Sequence, residues 1–165
     1  MGFEIDEYLV GKFFKHLKRI KKVSPEIEAR TVTLAEIKSR LTIMARALTG
    51  KPIEIFPAER EGGYKNNNFF LPISFAEFPT LEENLTFYHF RMLYLCVQQR
   101  LNYNWTSEEI EPELALSQQK ALETSDTVLA ILFQEFSIGE SFLAKAKDYF
   151  IQKSDAKKGP EFSWL

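Results

Sequence analysis

Hydrophobic residues recur along most of this chain at spacings of three and four, the period of helices that pack on a core. Between Leu85 and Val97, however, apolar and aromatic residues occupy almost every direction around a helix, where a surface helix would show one stripe. This segment follows a capping box, because the side chains of Thr80 and Glu83 can each accept a hydrogen bond from the other's backbone N–H. A helix from Leu81 to Tyr103 would be roughly 35 Å long. The pattern predicts a central buried helix.

A second helical pattern precedes this one. Ser24 suits the N-cap and Pro25 the first helical position, and Gly50 followed by Pro52 is typical of a helix end. Two heptads are too few for a coiled-coil dimer, so we expect the stripe between these ends to pack on the domain's own core. The stripe consists of Leu34, Ile37, Leu41, Met44 and Leu48.

Between residues 52 and 72 the period changes to two, which indicates strands. Residues 52–57 alternate, residues 59–68 form a polar turn, and residues 69–71 return as a second strand, so we expect one small β-hairpin. Gly62 and Gly63 suit positive φ values in that turn. They lack the helix-opening glycine pattern of a phosphate loop, which favours the hairpin.

After the central helix, Thr106 to Glu109 forms a second capping box, and two further helical patterns cover residues 113–136 and 140–152. Residues 125–127 are a candidate break in the first pattern, and Gly139 marks a turn. The fold class is therefore mainly α (α+β). We expect one domain over residues 1–152, with its core at 24–105 and C-terminal helices at 107–152. Residues 153–165 have the composition of a linker or of a truncated tail of a longer protein.

Composition narrows the class of protein. The chain has 165 residues, of which 45% are hydrophobic and 15 are Phe, enough for one sizeable core. A net charge of −2 argues against a general nucleic-acid binder. The central helix is interrupted by polar residues too often for a membrane span. The first six residues lack a signal-peptide pattern, so we expect a cytoplasmic protein with neither nucleic acid nor membrane as partner.

One basic segment could favour a nucleic-acid or membrane partner in spite of the net charge. Residues 12–22 carry six cations and no carboxylate, and either an acidic partner or a solvated helix end explains them. Cations are favourable near a helix C-terminus, and the net charge gives a binding patch no support, so we prefer the solvated end. The interaction candidates in this segment are Lys15, Lys18, Arg19 and Lys22.

The central helix holds the remaining candidates for chemistry. His89 is either a general base, with Glu82 or Glu83 behind it, or a hydrogen-bonded core residue, which is the commoner case. Arg91 lies in so apolar a helix that it should be paired, and Glu54 or Glu83 are the candidate partners. We expect the Asn84 amide to tie the turn at 70–72 to the helix. Cys96, the single cysteine, is predicted to be a buried thiol.

Several short motifs follow one another between residues 34 and 105. They are ARALTGKPIEI at 45–55, Gly62-Gly63, Phe70-Leu71-Pro72, Asn84, and Tyr88-x-x-Arg91. Their order and spacing resemble the N-terminal region of the NorD- and CbbO-like von Willebrand A-domain proteins, which partner MoxR-type AAA+ ATPases. The resemblance implies a non-catalytic adaptor without a cofactor, which couples such an ATPase to maturation or remodelling of a target protein.

Two departures from the family bear on that implication. The Asp-x-Ser-x-Ser adhesion-site motif of the family's C-terminal domain is not in this chain. Where relatives carry His residues four apart on the central helix, this chain has Cys96 and Arg100, so two zinc ligands on one helical face are lost. We therefore expect no enzyme. Two alternatives stay open: a metal-dependent hydrolase with a degenerate site at His89, Cys96 and the acidic run at 108–113, or a nucleic-acid or membrane-surface binder through residues 12–22.

Overall fold

The computed structural model describes residues 24–58, 62–103 and 114–156. Within these residues lie five helices and five short strands, so the predicted mainly α fold with a small β part is confirmed. The helices are α1 (Pro25–Arg30), α2 (Leu34–Thr49), α3 (Leu81–Arg100), α4 (Leu114–Glu135) and α5 (Ser137–Ala156). The strands are β1 (Val32–Thr33), β2 (Glu54–Ala58), β3 (Gly63–Lys65), β4 (Asn68–Pro72) and β5 (Ser74–Phe75).

Helix α3 is the central helix that the sequence predicts. Every residue from Phe90 to Gln98 is buried, and the core contains residues of the strands and of the other long helices around it. The capping box is present, since the Glu83 N–H donates to Thr80 Oγ1 at 3.2 Å and the Thr80 N–H donates to the Glu83 carboxylate at 3.3 Å. The helix ends at Arg100, short of Tyr103, and Asn102 takes a left-handed conformation with φ of 55°.

The helix predicted to run from Ser24 to Leu48 is in fact two helices. Thr31 leaves α1 in an extended conformation, and Thr33 opens α2 with another capping box, its N–H donating to the Glu36 carboxylate at 3.2 Å. Three β-branched residues in a row at 31–33 favour this extended break because their side chains are restricted in a helix. The expected end is confirmed, with Gly50 at φ of 65°.

The predicted hairpin is formed by different strands from those expected. Strand β2 pairs in parallel with β4, and β4 pairs antiparallel with β3, which gives the order β2-β4-β3. Residues 52–57 therefore do not fold directly back on residues 69–71. The polar connection contains β3 itself, and Asn66, with φ of 56°, makes the tight turn between β3 and β4. Side-chain alternation buries Ile55, Phe69 and Leu71 on the face of the sheet turned to the core.

A two-stranded sheet and an aromatic cluster connect the N-terminal part to the core. Strands β1 and β5 pair antiparallel, with Val32 opposite Phe75. The Phe75 ring stacks on Phe87 with their centroids 3.6 Å apart. Phe78 touches the rings of Phe142 and Phe150 on α5. The apolar connection before α3 is thus packed on the core.

Two predictions for the C-terminal helices are wrong. Helix α4 is continuous through residues 125–127, and the Ser125 hydroxyl donates to the Leu122 carbonyl of the preceding turn at 2.8 Å. Gly139 lies in the first turn of α5 instead of between helices. A Cβ atom at Gly139 would lie 2.1 Å from Leu132 Cδ2, so the glycine permits the close contact between α4 and α5.

Candidate functional site

The polar residues of α3 divide into two groups, and Asn84 begins the first. Its fully buried Oδ1 accepts a hydrogen bond from the Phe78 N–H at 2.9 Å. Its amide N–H groups donate to the carbonyls of Arg30 at 2.9 Å, Phe78 at 3.0 Å and Thr80 at 2.9 Å. Asn84 therefore joins the end of α1 to the segment before α3. The expectation that it ties the turn at 70–72 is wrong.

Tyr88 makes the connection that was expected of Asn84. Its ring is fully buried, and its hydroxyl donates to the carbonyl of Pro72, at the end of β4, over 2.9 Å. Burial raises the pKa of Tyr88 well above its ordinary value, so the hydroxyl remains a donor at any physiological pH. Asn84 and Tyr88 lie four residues apart, on one face of α3, and both have hydrogen-bond partners in neighbouring segments.

Arg91 begins the second group and behaves differently. It is only 5% exposed, and burial lowers the pKa of its guanidinium, while the nearby Tyr94 acts in the opposite direction. The expected partners are engaged elsewhere: Glu54 pairs with Arg46, and Glu83 accepts from Thr80. Among the residues that the structure describes, no carboxylate pairs with Arg91, so the predicted ion pair is wrong.

The backbone at Gly62 passes next to the Arg91 side chain. A Cβ atom at Gly62 would lie 2.7 Å from the Phe70 carbonyl oxygen and 3.4 Å from Arg91 Nη2. Only glycine fits there without moving the backbone of β4. Neither Gly62 nor Gly63 has a positive φ, so the reason given for them from sequence is wrong, and Gly63 has open space around it.

Two further polar residues lie on the same face of α3 as Arg91, at spacings of three and seven, namely Tyr94 and Gln98. All three are buried, and we refer to Arg91, Tyr94 and Gln98 as the polar stripe. The guanidinium carbon of Arg91 lies 5.5 Å from the centroid of the Tyr94 ring. The Tyr64 hydroxyl, from β3, donates to the Gln98 carbonyl at 3.3 Å.

Charges next to the polar stripe act on Tyr94 as well. Burial raises the pKa of Tyr94, the Arg91 cation lowers it, and Asp126 on α4 raises it further. Tyr94 and Gln98 were not predicted as site residues from the sequence. Their spacing from Arg91 inside an otherwise apolar helix was the signal that would have found them.

His89 and Cys96, which the hydrolase alternative would use, lie within the packed part of the helix. His89 is half-buried, and its Nδ1 lies 3.1 Å from the Leu85 carbonyl oxygen, an acceptor that requires the proton on Nδ1. Burial raises the pKa of Cys96 to about 12, so its buried side chain is a protonated thiol near neutral pH. Within the described residues, no group of three or more His, Cys, Asp or Glu is placed to hold a metal ion.

Arg100 supplies a contrast to Arg91 at the end of the same helix. Its two terminal nitrogens donate to the Glu135 carboxylate on α4 at 2.6 and 2.8 Å. This double hydrogen bond raises the pKa of Arg100 and lowers the pKa of Glu135. The arginine at the position where a metal ligand was expected to be lost thus joins α3 to α4.

The three-stranded sheet presents aromatic side chains on its outer side. Phe56 of β2 stands opposite Phe70 of β4, and their ring centroids are 6.0 Å apart. Phe56 is 41% exposed, and Lys38 Nζ lies 5.6 Å from its ring centroid. We call Phe56 and Phe70 the outer sheet face. In the described part of the chain, β2 pairs with β4 alone, so its second edge is open.

Several predictions fall outside the described residues. They concern Lys15, Lys18, Arg19 and Lys22, the second capping box, the acidic run at 108–113 and the end of the tail. Among the described helices, none is both long and apolar enough to cross a membrane. Comparison with protein-family models, curated proteins and solved structures finds no match. The resemblance over residues 34 to 105 therefore stays a prediction.

Proposed function

We propose that this chain is a non-catalytic adaptor domain of a cytoplasmic protein, which binds a MoxR-type AAA+ ATPase and a target protein. The observation that carries the binding role is the outer sheet face, where Phe56 is 41% exposed beside Phe70. The identity of the ATPase partner rests on the resemblance alone.

The central helix supports a scaffold role. Asn84 and Tyr88 use their polar groups to hold α1, the segment before α3 and the end of β4 together. The Cys96 thiol, with its pKa raised to about 12, is a poor nucleophile near neutral pH. These side chains stabilise a rigid body on which a binding surface can be displayed.

The outer sheet face has the composition of a protein-binding surface. Aromatic residues supply much of the binding energy in protein interfaces, where they are surrounded by polar residues. Here Lys38 lies beside the Phe56 ring, and the ion pair of Arg46 with Glu54 is close along the same strand. The open edge of β2 can also pair with an extended segment of a partner, although Pro57 removes one backbone donor.

Binding of a MoxR-type ATPase, together with its rate of ATP hydrolysis, tests the proposal. We expect binding at micromolar concentration, and we expect Phe56→Ser to weaken it by about tenfold or more, as for a central aromatic contact. Leu122→Ser is the matched control, because Leu122 is an apolar residue of α4 that is 66% exposed and is not part of the outer sheet face. Absence of binding by the unchanged chain would overturn the ATPase partnership, and equal losses in both variants would overturn the role of this face.

A further inference from the structure

Arg91 carries a buried positive charge that its described surroundings do not neutralise. The residue is 95% removed from solvent, since only 5% is exposed. Its guanidinium forms no hydrogen bond or ion pair within the described parts of the chain, where Arg46 and Arg100 each have a carboxylate partner. A buried charge is costly unless a counter-charge or hydrogen-bond acceptors surround it. Among the described residues, the fully buried side-chain nitrogen without a partner is Arg30 Nε and not one of Arg91. The Arg91 nitrogens therefore keep some contact with solvent, although no described residue accepts a hydrogen bond from them.

The groups next to the guanidinium leave its N–H donors without an acceptor. The Tyr94 ring, with its centroid 5.5 Å from the guanidinium carbon, stabilises the cation through its face but accepts no hydrogen bond in the plane of the guanidinium. Gly62 brings backbone close to Nη2 without a side chain that would occupy the adjacent space. Asp126 on α4 acts electrostatically on Tyr94, and the ion pairs of the described residues include none between Asp126 and Arg91.

The chemistry of the guanidinium defines the class of ligand. Its planar fork matches two oxygens of a carboxylate or of a phosphate group, and it binds such groups through parallel hydrogen bonds. The small exposed fraction of Arg91 restricts the part that enters to a small group. The geometry points to a binding site for the oxyanion of a small molecule, a carboxylate or a phosphate, anchored by Arg91 with the Tyr94 ring and the Gly62 backbone beside it.

One competing source of negative charge lies within the chain. Glu59 and Glu61 precede Gly62 in the sequence and lie outside the described residues. If either carboxylate occupied the guanidinium, the site would be an internal ion pair and not a ligand site. The experiment must separate these two outcomes.

Isothermal titration of the full chain with inorganic phosphate, and separately with succinate, makes this test at fixed ionic strength. We expect one of the two ions to bind saturably, with one ion per chain and a dissociation constant below about 10 mM. Whichever ion binds identifies the chemistry, phosphate or carboxylate. Failure of both ions to bind overturns the proposal, independently of any result with an ATPase.

Variants locate the binding. Arg91→Met should weaken it by at least about tenfold, as when one member of a buried charge pair is removed. Arg46→Met, at an exposed arginine, should change it by less than about twofold. Arg91→Lys keeps the charge without the fork and should give an intermediate loss, which also tests the site if Arg91→Met does not fold.

Two outcomes with these variants contradict the proposal. Equal binding by the unchanged chain and Arg91→Met would place the ion elsewhere. Binding that appears only after Glu59→Gln or Glu61→Gln would mean that the chain's own carboxylate fills the site.

Discussion

The two halves of α3 both bury polar side chains but surround them in opposite ways. In the first half, Asn84 and Tyr88 have acceptors and donors supplied by α1, β4 and the segment before the helix. In the second half, Arg91 lies next to the Tyr94 ring and to Gly62, and no carboxylate of the described residues pairs with it. Burial alone thus does not distinguish a structural residue from a binding residue. The difference is whether the fold itself provides hydrogen-bond partners.

The largest expected loss of stability follows from removing the hydrogen bonds of Asn84 in the first half of α3. Asn84→Leu keeps the approximate volume but leaves the Phe78 N–H and several carbonyls without a partner, so we expect a loss of about 3 kcal/mol in the free energy of unfolding. Urea unfolding measures it. Asn68→Ala, at an exposed position of β4, is the control and should stay within about 0.5 kcal/mol. A loss no larger than that of the control would mean that the Asn84 hydrogen bonds do not stabilise the fold.

A substitution in the second half of α3 should raise the free energy of unfolding instead of lowering it. In a buffer free of phosphate and carboxylates, Arg91→Met removes a buried charge that has no described counter-charge, so we expect stability to rise by about 1 to 2 kcal/mol. Thermal and urea unfolding both measure this. A loss of about 3 kcal/mol or more would instead indicate a paired charge, since removing one partner strands the other.

A smaller effect tests the hydroxyl of Tyr88 by itself. Tyr88→Phe removes the hydrogen bond to the Pro72 carbonyl and keeps the buried ring, so stability should fall by about 1 kcal/mol. Tyr149→Phe serves as the matched change on α5, where the ring packs in the aromatic cluster. If the two variants lose equal stability, the bond from Tyr88 to β4 has no measurable role.

The smallest effect concerns the paired arginine of the same helix. Glu135→Gln weakens the pair with Arg100 and should cost about 0.5 kcal/mol at low salt, as for other surface ion pairs. The hydrogen bonds from Arg100 hold the pKa of Glu135 in the folded chain below the ordinary value of a glutamate. Its contribution is therefore present above that value and is lost as the pH falls through the folded pKa.

Urea unfolding at pH 7 and at pH 3 measures this dependence. The difference between the unchanged chain and the Glu135→Gln variant should shrink at the lower pH and in high salt. A difference that is the same under all these conditions would indicate packing at this position instead of charge.

Much of the fold could be predicted from local patterns. The apolar run of α3 and the Thr80 capping box marked the central helix, and Gly50 marked the end of α2, because each depends on residues close in sequence. The break at residues 31–33 was missed although Thr33 and Glu36 carried the same capping signal. Strand pairing was the least predictable, since β3 intervenes in the chain between β2 and β4, which pair in parallel instead of forming a hairpin with each other.

In the candidate site, too, local features could be predicted from the sequence and contacts between distant segments could not. That Arg91 is a costly residue in an apolar helix was determined by the sequence, as were the neighbours Tyr94 and Gln98 at helical spacing. Whether the Arg91 charge is paired was decided by the tertiary structure. There Glu54 pairs with Arg46 and Glu135 pairs with Arg100, while the Gly62 backbone lies next to the guanidinium. Helical periodicity is a local property of the chain, whereas ion pairing depends on distances between segments that only the packed structure sets.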